Sequence, residues 1–119
     1  MRLRDTLSGE LRELEPGSDG RIGVYVCGPT VYDRIHVGNA RPVVVFLQMK
    51  RYLEWRGQRV HLVENITDIN DKIYAAAVRR GVRSDDLAAE MARAFVDDTD
   101  RLGLGRPDEE PLATETIPE

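Results

Sequence analysis

The sequence lacks any long apolar run, and no basic stretch precedes an apolar one near its start. A membrane-spanning helix needs about 20 mostly apolar residues, and a secretory signal needs a basic-then-apolar segment. We therefore expect a soluble, cytoplasmic chain without a membrane partner. The single cysteine, Cys27, excludes an internal disulfide and is compatible with a reducing compartment. Internal repeats and low-complexity segments are also lacking.

A net positive charge is lacking as well. The chain has 17 Lys and Arg against 21 Asp and Glu, a formal net charge of −4. Residues 1–60 carry ten basic and seven acidic side chains (+3), whereas residues 61–119 carry seven and fourteen (−7). Nucleic-acid-binding surfaces are usually basic, so the composition predicts none here. We interpret the acidic half as a solvated surface.

The length allows one domain at most. A chain of 119 residues buries about two-thirds of its unfolded surface. Its last residues, Pro118-Glu119, carry no capping glycine or other sign of a natural end. We therefore expect these residues to be part of a longer protein.

The order of predicted elements indicates an α/β fold. Ile22 to Val26 is a β-branched apolar run typical of a buried strand, and Gly28-Pro29 ends it. After Asn39, apolar residues recur every three or four positions, which predicts a helix that Gly57 can close. Arg59 to Ile66 predicts a second strand, parallel to the first through a right-handed crossover.

Further elements flank this unit. The segments 2–6 and 11–14, on either side of Ser8-Gly9, predict a hairpin, and two helices are predicted downstream, at 71–80 and 84–102. Ser84 is the predicted N-cap of the second helix, and Asp68 or Asp71 of the first. The predicted plan is a hairpin and loop at 1–20, a nucleotide-binding βαβ unit with its helices at 21–103 and an acidic loop or truncated end at 104–119.

Polar residues cluster at one edge of the predicted sheet. Open α/β sheets bind ligands at the carboxyl ends of their strands, where Cys27 and Thr67 are expected. His36-Val37-Gly38-Asn39 precedes or opens the long helix, and free N–H groups and the helix dipole favour phosphate there. His36 and Asn39 can donate hydrogen bonds to phosphoryl oxygens, and Gly38 permits close approach to the backbone. Alternatively, His36 is a surface residue and Asn39 only an N-cap.

Three motifs carry a resemblance to a known family. They are Cys27-Gly28-Pro29-Thr30-Val31-Tyr32-Asp33, His36-Val37-Gly38-Asn39 and Asn65-Ile66-Thr67-Asp68-Ile69-Asn70-Asp71-Lys72. In this order and spacing, and over most of the chain to about Gly103, they resemble the cysteinyl-tRNA synthetases of class I. The resemblance implies the amino-terminal half of a Rossmann-like, HUP-type catalytic domain, a parallel sheet with flanking helices, after a small β-hairpin.

The resemblance also implies a reaction and its site. The family activates cysteine with ATP and transfers it to tRNA(Cys), using ATP, Mg²⁺ and Zn²⁺. Cys27 is implied to bind zinc and, with it, the substrate thiolate, and Thr67 to contact the amino acid. Further zinc ligands are expected beyond residue 119. The residues implied to bind ATP are Gly28, Thr30, Tyr32, His36, Gly38 and Asn39, with His36 and Asn39 as the catalytic pair.

Some features depart from the family pattern. Leu47 stands where the family commonly has aspartate, and Asn70 replaces the middle aspartate of the third motif. The Lys-Met-Ser-Lys-Ser loop that completes class I sites is absent, so we expect these 119 residues alone to be inactive. Without the resemblance, Cys27 would be interpreted as a small buried hydrophobe, and His61 as an exposed strand residue. The alternative functions are a mycothiol-pathway cysteine ligase and a non-catalytic nucleotide-binding module.

Overall fold

The structure, a computed structural model, describes residues 1–117. Its first sheet is an antiparallel hairpin of β1 (Arg2–Arg4) and β2 (Leu11–Glu13), in which Arg2 lies opposite Glu13. The second sheet pairs β3 (Arg21–Val26) with β4 (Arg59–Glu64) in parallel. The sequence predicted both pairings, although β4 ends two residues earlier than expected.

The two parallel strands are joined by α1 (Val37–Trp55), which makes a strand–helix–strand unit. Three further helices follow: α2 (Asp71–Arg80), α3 (Ser84–Asp100) and α4 (Ala113–Thr116). Each named sheet in residues 1–117 has only two strands, so this part of the chain does not contain a complete Rossmann sheet.

The segment after α3, predicted as an acidic loop or truncated end, packs along β4. Two isolated parallel bridges, Val63 with Glu109 and Ile66 with Leu112, place it beside β4. The backbone N–H of Glu64 donates to the carbonyl oxygen of Glu109 at 3.0 Å. Charged residues with two prolines do not show a strand pattern, so only the tertiary contacts with β4 reveal this pairing.

Asp108 fixes this segment to the sheet. Its carboxylate accepts hydrogen bonds from the backbone N–H of Leu62 at 2.7 Å and from the Lys50 ammonium at 3.1 Å. Partial burial opposes ionisation of Asp108, but these two hydrogen bonds outweigh it and lower the pKa of the carboxyl group. Asp108 therefore links this segment to both β4 and α1.

The core lies between the β3–β4 sheet and the helices. Buried residues on α1 are Val43, Leu47 and Leu53, whereas Val45 and Tyr52 are exposed. Leu47 is only 3% exposed, so the leucine that departs from the family pattern is a core residue. Other members of the same cluster are Val26, Leu62, Ile66, Ile73, Leu87, Met91 and Phe95.

The helix caps differ from the predicted ones. Asn70, not Asp68 or Asp71, caps α2, since its side chain accepts from the backbone N–H of Lys72 at 3.0 Å. Ser84 is the first residue of α3, and Arg83 occupies the cap position without a side-chain hydrogen bond. Asn and Ser are both good capping residues. Because a helix start can shift by one residue, the sequence alone does not decide which residue takes the cap position.

Candidate functional site

The carboxyl ends of β3 and β4 are held together by one side chain, Asn65. Its Oδ1 accepts from the Tyr25 hydroxyl at 2.9 Å and from the Gly28 backbone N–H at 3.1 Å. Its Nδ2 donates to the Thr67 hydroxyl at 3.2 Å. Asn65 is only 9% exposed, so these hydrogen bonds replace water that the fold has displaced. One amide thus joins the strand ends and orients Thr67.

The loop after β3 continues this connection. Thr30 and Thr67 form a parallel bridge. The backbone N–H of Val31 donates to the carbonyl of Thr67 at 3.1 Å, and that of Thr67 donates to the carbonyl of Pro29 at 3.0 Å. The first and third sequence motifs, 37 residues apart in the chain when measured from Thr30 to Thr67, therefore meet at one edge.

Gly28 is required for this junction. A Cβ built on it would lie 1.6 Å from the backbone oxygen of Asn65 and 3.3 Å from Cγ of Glu64. No side chain fits at such distances, so the two strand ends can meet only at glycine. This close packing explains the glycine by backbone contact within the chain. Its predicted contact with ATP stays a prediction.

His36 and Asn39 form a reciprocal cap at the start of α1. Nδ1 of His36 accepts from the backbone N–H of Gly38 at 2.9 Å, and Oδ1 of Asn39 accepts from the backbone N–H of His36 at 3.3 Å. His36 is therefore the N-cap, and Asn39 is its partner at the third helical position. The helix begins at Val37, earlier than expected.

This cap determines which atoms remain for a ligand. An imidazole whose Nδ1 accepts a hydrogen bond carries its proton on Nε2 when neutral, so Nε2–H of His36 is a free donor. Asn39 uses its carbonyl oxygen in the cap and keeps its amide N–H₂ group. Capping and ligand binding are therefore compatible at both residues, because they use different atoms of each side chain.

Gly38 has a separate reason to be glycine. A Cβ there would lie 2.7 Å from Cε1 and 2.9 Å from Nδ1 of His36. The imidazole could keep its capping position only without that methyl group. Gly38 thus allows the His36 ring to fold back over the first turn of α1.

A small pocket of about 120 Å³ lies in front of these residues. Four of the predicted ATP-site residues line it, Thr30, Tyr32, His36 and Asn39, and Pro29, Asp33, Arg34 and Ile35 complete the wall. The volume is below the usual range for a whole nucleotide, so these walls enclose only part of such a ligand. Gly28, Gly38, Cys27 and Thr67 do not line the pocket.

Ion pairs neutralise the charged residues of the pocket wall. The Arg34 guanidinium is bound by the Asp98 carboxylate through two hydrogen bonds, and Arg80 contacts Asp33 at 2.8 Å. The Asp98 contact raises the pKa of Arg34, so this guanidinium stays charged. Both pairs connect the loop after β3 to the helices α2 and α3.

Cys27 is an exposed, free thiol at the end of β3. Among residues 1–117, no three His, Cys, Asp or Glu side chains are grouped so that they could hold a metal ion. His61 is half-buried on β4, and its Nε2 lies 3.0 Å from an Oε1 of Glu109. Its partner is therefore Glu109 and not the Cys27 thiol. The donors in the described residues therefore do not amount to a zinc site, which needs four ligands or three and a substrate.

Sequence reasoning missed one group at this edge, Glu64. It pairs in register with Val26, just before Cys27, and is only 2% exposed. Burial raises the pKa of its carboxyl group. The signal was a charged residue at the end of an otherwise apolar strand, directly before the third motif.

Comparison with known proteins agrees with the motifs. The family described as "tRNA synthetases class I (C) catalytic domain" matches residues 13–119. The chain belongs to this family. The resemblance that the motifs carried is therefore confirmed, and so is its coarse fold, part of a class I synthetase catalytic domain.

Individual relatives extend the comparison. The chain is 48% identical over 119 residues to a cysteine–tRNA ligase of Rubrobacter xylanophilus, covering 100% of this chain and 25% of the relative. It is 44% identical over 117 residues to the cysteine–tRNA ligase of Lactococcus lactis subsp. cremoris, covering 98% of this chain and 26% of the relative. A third relative bears the same name, from Syntrophotalea carbinolica, at 47% identity over 114 residues, covering 96% of this chain and 24% of the relative.

The chain spans about a quarter of the length of the curated relatives that it matches. Within residues 1–117, no helix is long and apolar enough to cross a membrane.

Proposed function

We propose that this chain is the first part of the catalytic domain of a cysteine–tRNA ligase. The observation that carries the proposal is the pocket in front of α1, where His36 and Asn39 have used their acceptor atoms in the cap and keep their donors. Relatives named cysteine–tRNA ligase favour this reading over a mycothiol-pathway ligase or a non-catalytic module.

In the proposed first step, a carboxylate oxygen of cysteine attacks the α-phosphorus of ATP. A new bond forms between this oxygen and the α-phosphorus. The bond from the α-phosphorus to the oxygen that bridges it to the β-phosphorus breaks, and pyrophosphate leaves with that electron pair. Negative charge grows on the phosphoryl oxygens, so fixed donors stabilise the transition state. His36 Nε2–H and the Asn39 amide supply such donors, and the cap holds both rigidly.

Recognition of cysteine is assigned to Cys27 and Thr67. Asn65 donates a hydrogen bond to the Thr67 hydroxyl, and Thr67 forms a bridge with Thr30, three residues after Cys27. We propose that Cys27 is one ligand of a zinc ion whose other ligands lie outside residues 1–117. Bound zinc would bind a thiolate in preference to a hydroxyl, and thereby separate cysteine from serine.

ATP is proposed to bind with Mg²⁺ at the start of α1, against Gly28, Thr30, Tyr32, His36, Gly38 and Asn39. The activated cysteine would then be transferred to tRNA(Cys) in the cytoplasm. The acidic balance of residues 61–119 offers no basic face for tRNA, so its contacts are assigned mainly to other parts of the protein.

The wider fold is proposed to be a Rossmann-like sheet. β4 pairs with β3 on one side and with the segment around Glu109 on the other, and both pairings are parallel. Within residues 1–117, β3 pairs with β4 alone, which leaves its other edge for a further strand. We keep the division into residues 1–20, 21–103 and 104–119 as a proposal.

The test is cysteine-dependent exchange of pyrophosphate into ATP, measured on the full product of the gene that encodes this chain. His36→Asn keeps a capping side chain but loses Nε2–H, whereas His36→Ala loses both. We expect both variants to lower exchange about 10²- to 10³-fold, the usual effect of removing one transition-state donor. His61→Ala is the matched control, because it removes the other histidine.

Cys27→Ser tests the thiol assignment in the same assay. We expect it to lose discrimination between cysteine and serine along with bound zinc, measured by metal analysis. Full exchange in His36→Asn would contradict the role of His36. Absence of exchange in the unaltered full-length protein would contradict the proposed function as a whole.

A further inference from the structure

Lys72 lies beside Tyr32, one of the residues that line the same pocket. Its ammonium nitrogen is 5.7 Å from the centroid of the Tyr32 ring, within the range of a cation–π contact. Tyr32 lines the pocket together with His36 and Asn39. Lys72 is exposed in the first turn of α2, and its backbone N–H donates to Asn70, which fixes the start of that helix.

The chain offers a direct comparison, because it has only two lysines, Lys50 and Lys72. The Lys50 ammonium contacts Glu54 at 2.5 Å and Asp108 at 3.1 Å. Across residues 1–117, Lys72 forms no ion pair with a carboxylate, and its ammonium lies over the face of the Tyr32 ring.

The neighbouring cations are occupied. Arg34, in the pocket wall, is bound by Asp98, and Arg80, at the end of α2, is bound by Asp33. Their charges are therefore compensated within the protein. Within residues 1–117, the positive charge of Lys72 has no such compensation, and it lies beside Tyr32 in the pocket lining.

We infer that Lys72 binds a phosphate oxygen of the nucleotide whose other part occupies the pocket. The inference rests on the proposed function and deepens it. A pocket of about 120 Å³ encloses only part of a nucleotide, so the phosphates that His36 and Asn39 do not contact extend beyond its walls, toward Lys72. The face of the Tyr32 ring holds the ammonium beside the pocket lining, and N–H groups that do not face the ring remain for an anion.

Two measurements test this role on the full-length gene product. The first is the KM for ATP in pyrophosphate exchange, for Lys72→Met and Lys72→Arg. Loss of a charge-assisted hydrogen bond corresponds to a roughly ten- to hundredfold rise in KM for Lys72→Met, with a much smaller rise for Lys72→Arg. Arg79→Met is the control, because it removes an exposed cation from the same helix, and we expect it to leave KM unchanged.

The second measurement does not require catalysis. An amine-reactive reagent labels exposed lysines, and mass spectrometry reports Lys50 and Lys72 separately with and without ATP. We expect ATP to protect Lys72 and to leave labelling of Lys50 unchanged. Unaltered thermal unfolding of Lys72→Met would show that its effect on KM is not a loss of fold.

The outcomes separate the two proposals. If exchange proceeds normally in Lys72→Met and ATP does not protect Lys72, the role of Lys72 is overturned while the proposed function stands. If Lys72→Met changes only the KM for tRNA in the transfer step, Lys72 binds the nucleic acid and the inference is also overturned. If the unaltered protein shows no exchange, the labelling result still decides whether Lys72 meets a nucleotide phosphate.

Discussion

Replacement of Gly28 by alanine should damage the fold before it affects any ligand. The added Cβ would lie 1.6 Å from the backbone oxygen of Asn65, whereas an ordinary contact of this kind is about 3.3 Å, so the strand ends would have to separate by roughly 1.7 Å. Such a movement would also break the hydrogen bond from the Gly28 N–H to Asn65 Oδ1, now 3.1 Å long.

The expected cost follows from these two effects. Overpacking of a fixed site costs about 1–3 kcal/mol, and loss of the hydrogen bond adds about 1 kcal/mol. We therefore expect Gly28→Ala to lower the free energy of unfolding by about 3 kcal/mol, a large share of the total for a small domain. With a urea m-value of about 2 kcal/mol/M, the unfolding midpoint should fall by about 1.5 M.

Gly23→Ala provides the matched control. Gly23 lies on the same strand, and a Cβ there would meet nothing within 4 Å. We expect its free energy of unfolding to stay within about 0.5 kcal/mol of the unaltered chain. Urea unfolding followed by circular dichroism compares the three proteins. If Gly28→Ala is as stable as Gly23→Ala, the strand ends tolerate a side chain and the packing explanation of Gly28 is wrong.

Three further changes probe the site. Asn65→Ala removes three hydrogen bonds from a buried junction, so it should lower the free energy of unfolding by about 2–3 kcal/mol in urea titration; a loss below 0.5 kcal/mol would contradict the role of this amide. Burial raises the pKa of Glu64, so its carboxyl group destabilises the fold increasingly as pH rises through its unfolded and then its folded pKa; Glu64→Gln should therefore raise the melting temperature more at pH 7 than at pH 4, and an equal gain at both would refute this. Gly38→Ala displaces the His36 ring and loses its cap, at a cost of about 0.5–2 kcal/mol by thermal unfolding.

Much of the local structure follows from the sequence because its signals are local. β-branched runs, a helix period and glycine stop signals place β3, α1, β4, α2 and α3 close to their observed bounds. The parallel pairing of β3 and β4 follows from the handedness of a crossover connection. The three motifs identified the family for a similar reason, since each is a contiguous run of residues.

Other features depend on contacts between distant residues. The acidic segment joins β4 because Asp108 accepts from Leu62 and Lys50, a contact that spans more than forty residues. His36 caps α1 and Asn70 caps α2, because each side chain accepts a hydrogen bond from the first turn of its helix. Neighbouring polar residues can offer hydrogen bonds of similar strength, so the sequence alone does not select the cap.

The site shows the same division. The sequence by itself determined which chemical groups are present at the strand ends and the start of α1, because residue types and motif spacing state them directly. Only the tertiary structure decided which of their atoms are free. The cap occupies the acceptors of His36 and Asn39, the backbone of Asn65 requires glycine at position 28, and the Lys72 ammonium lies over the ring of Tyr32. Each of these depends on distance and direction, which the order of residues does not contain.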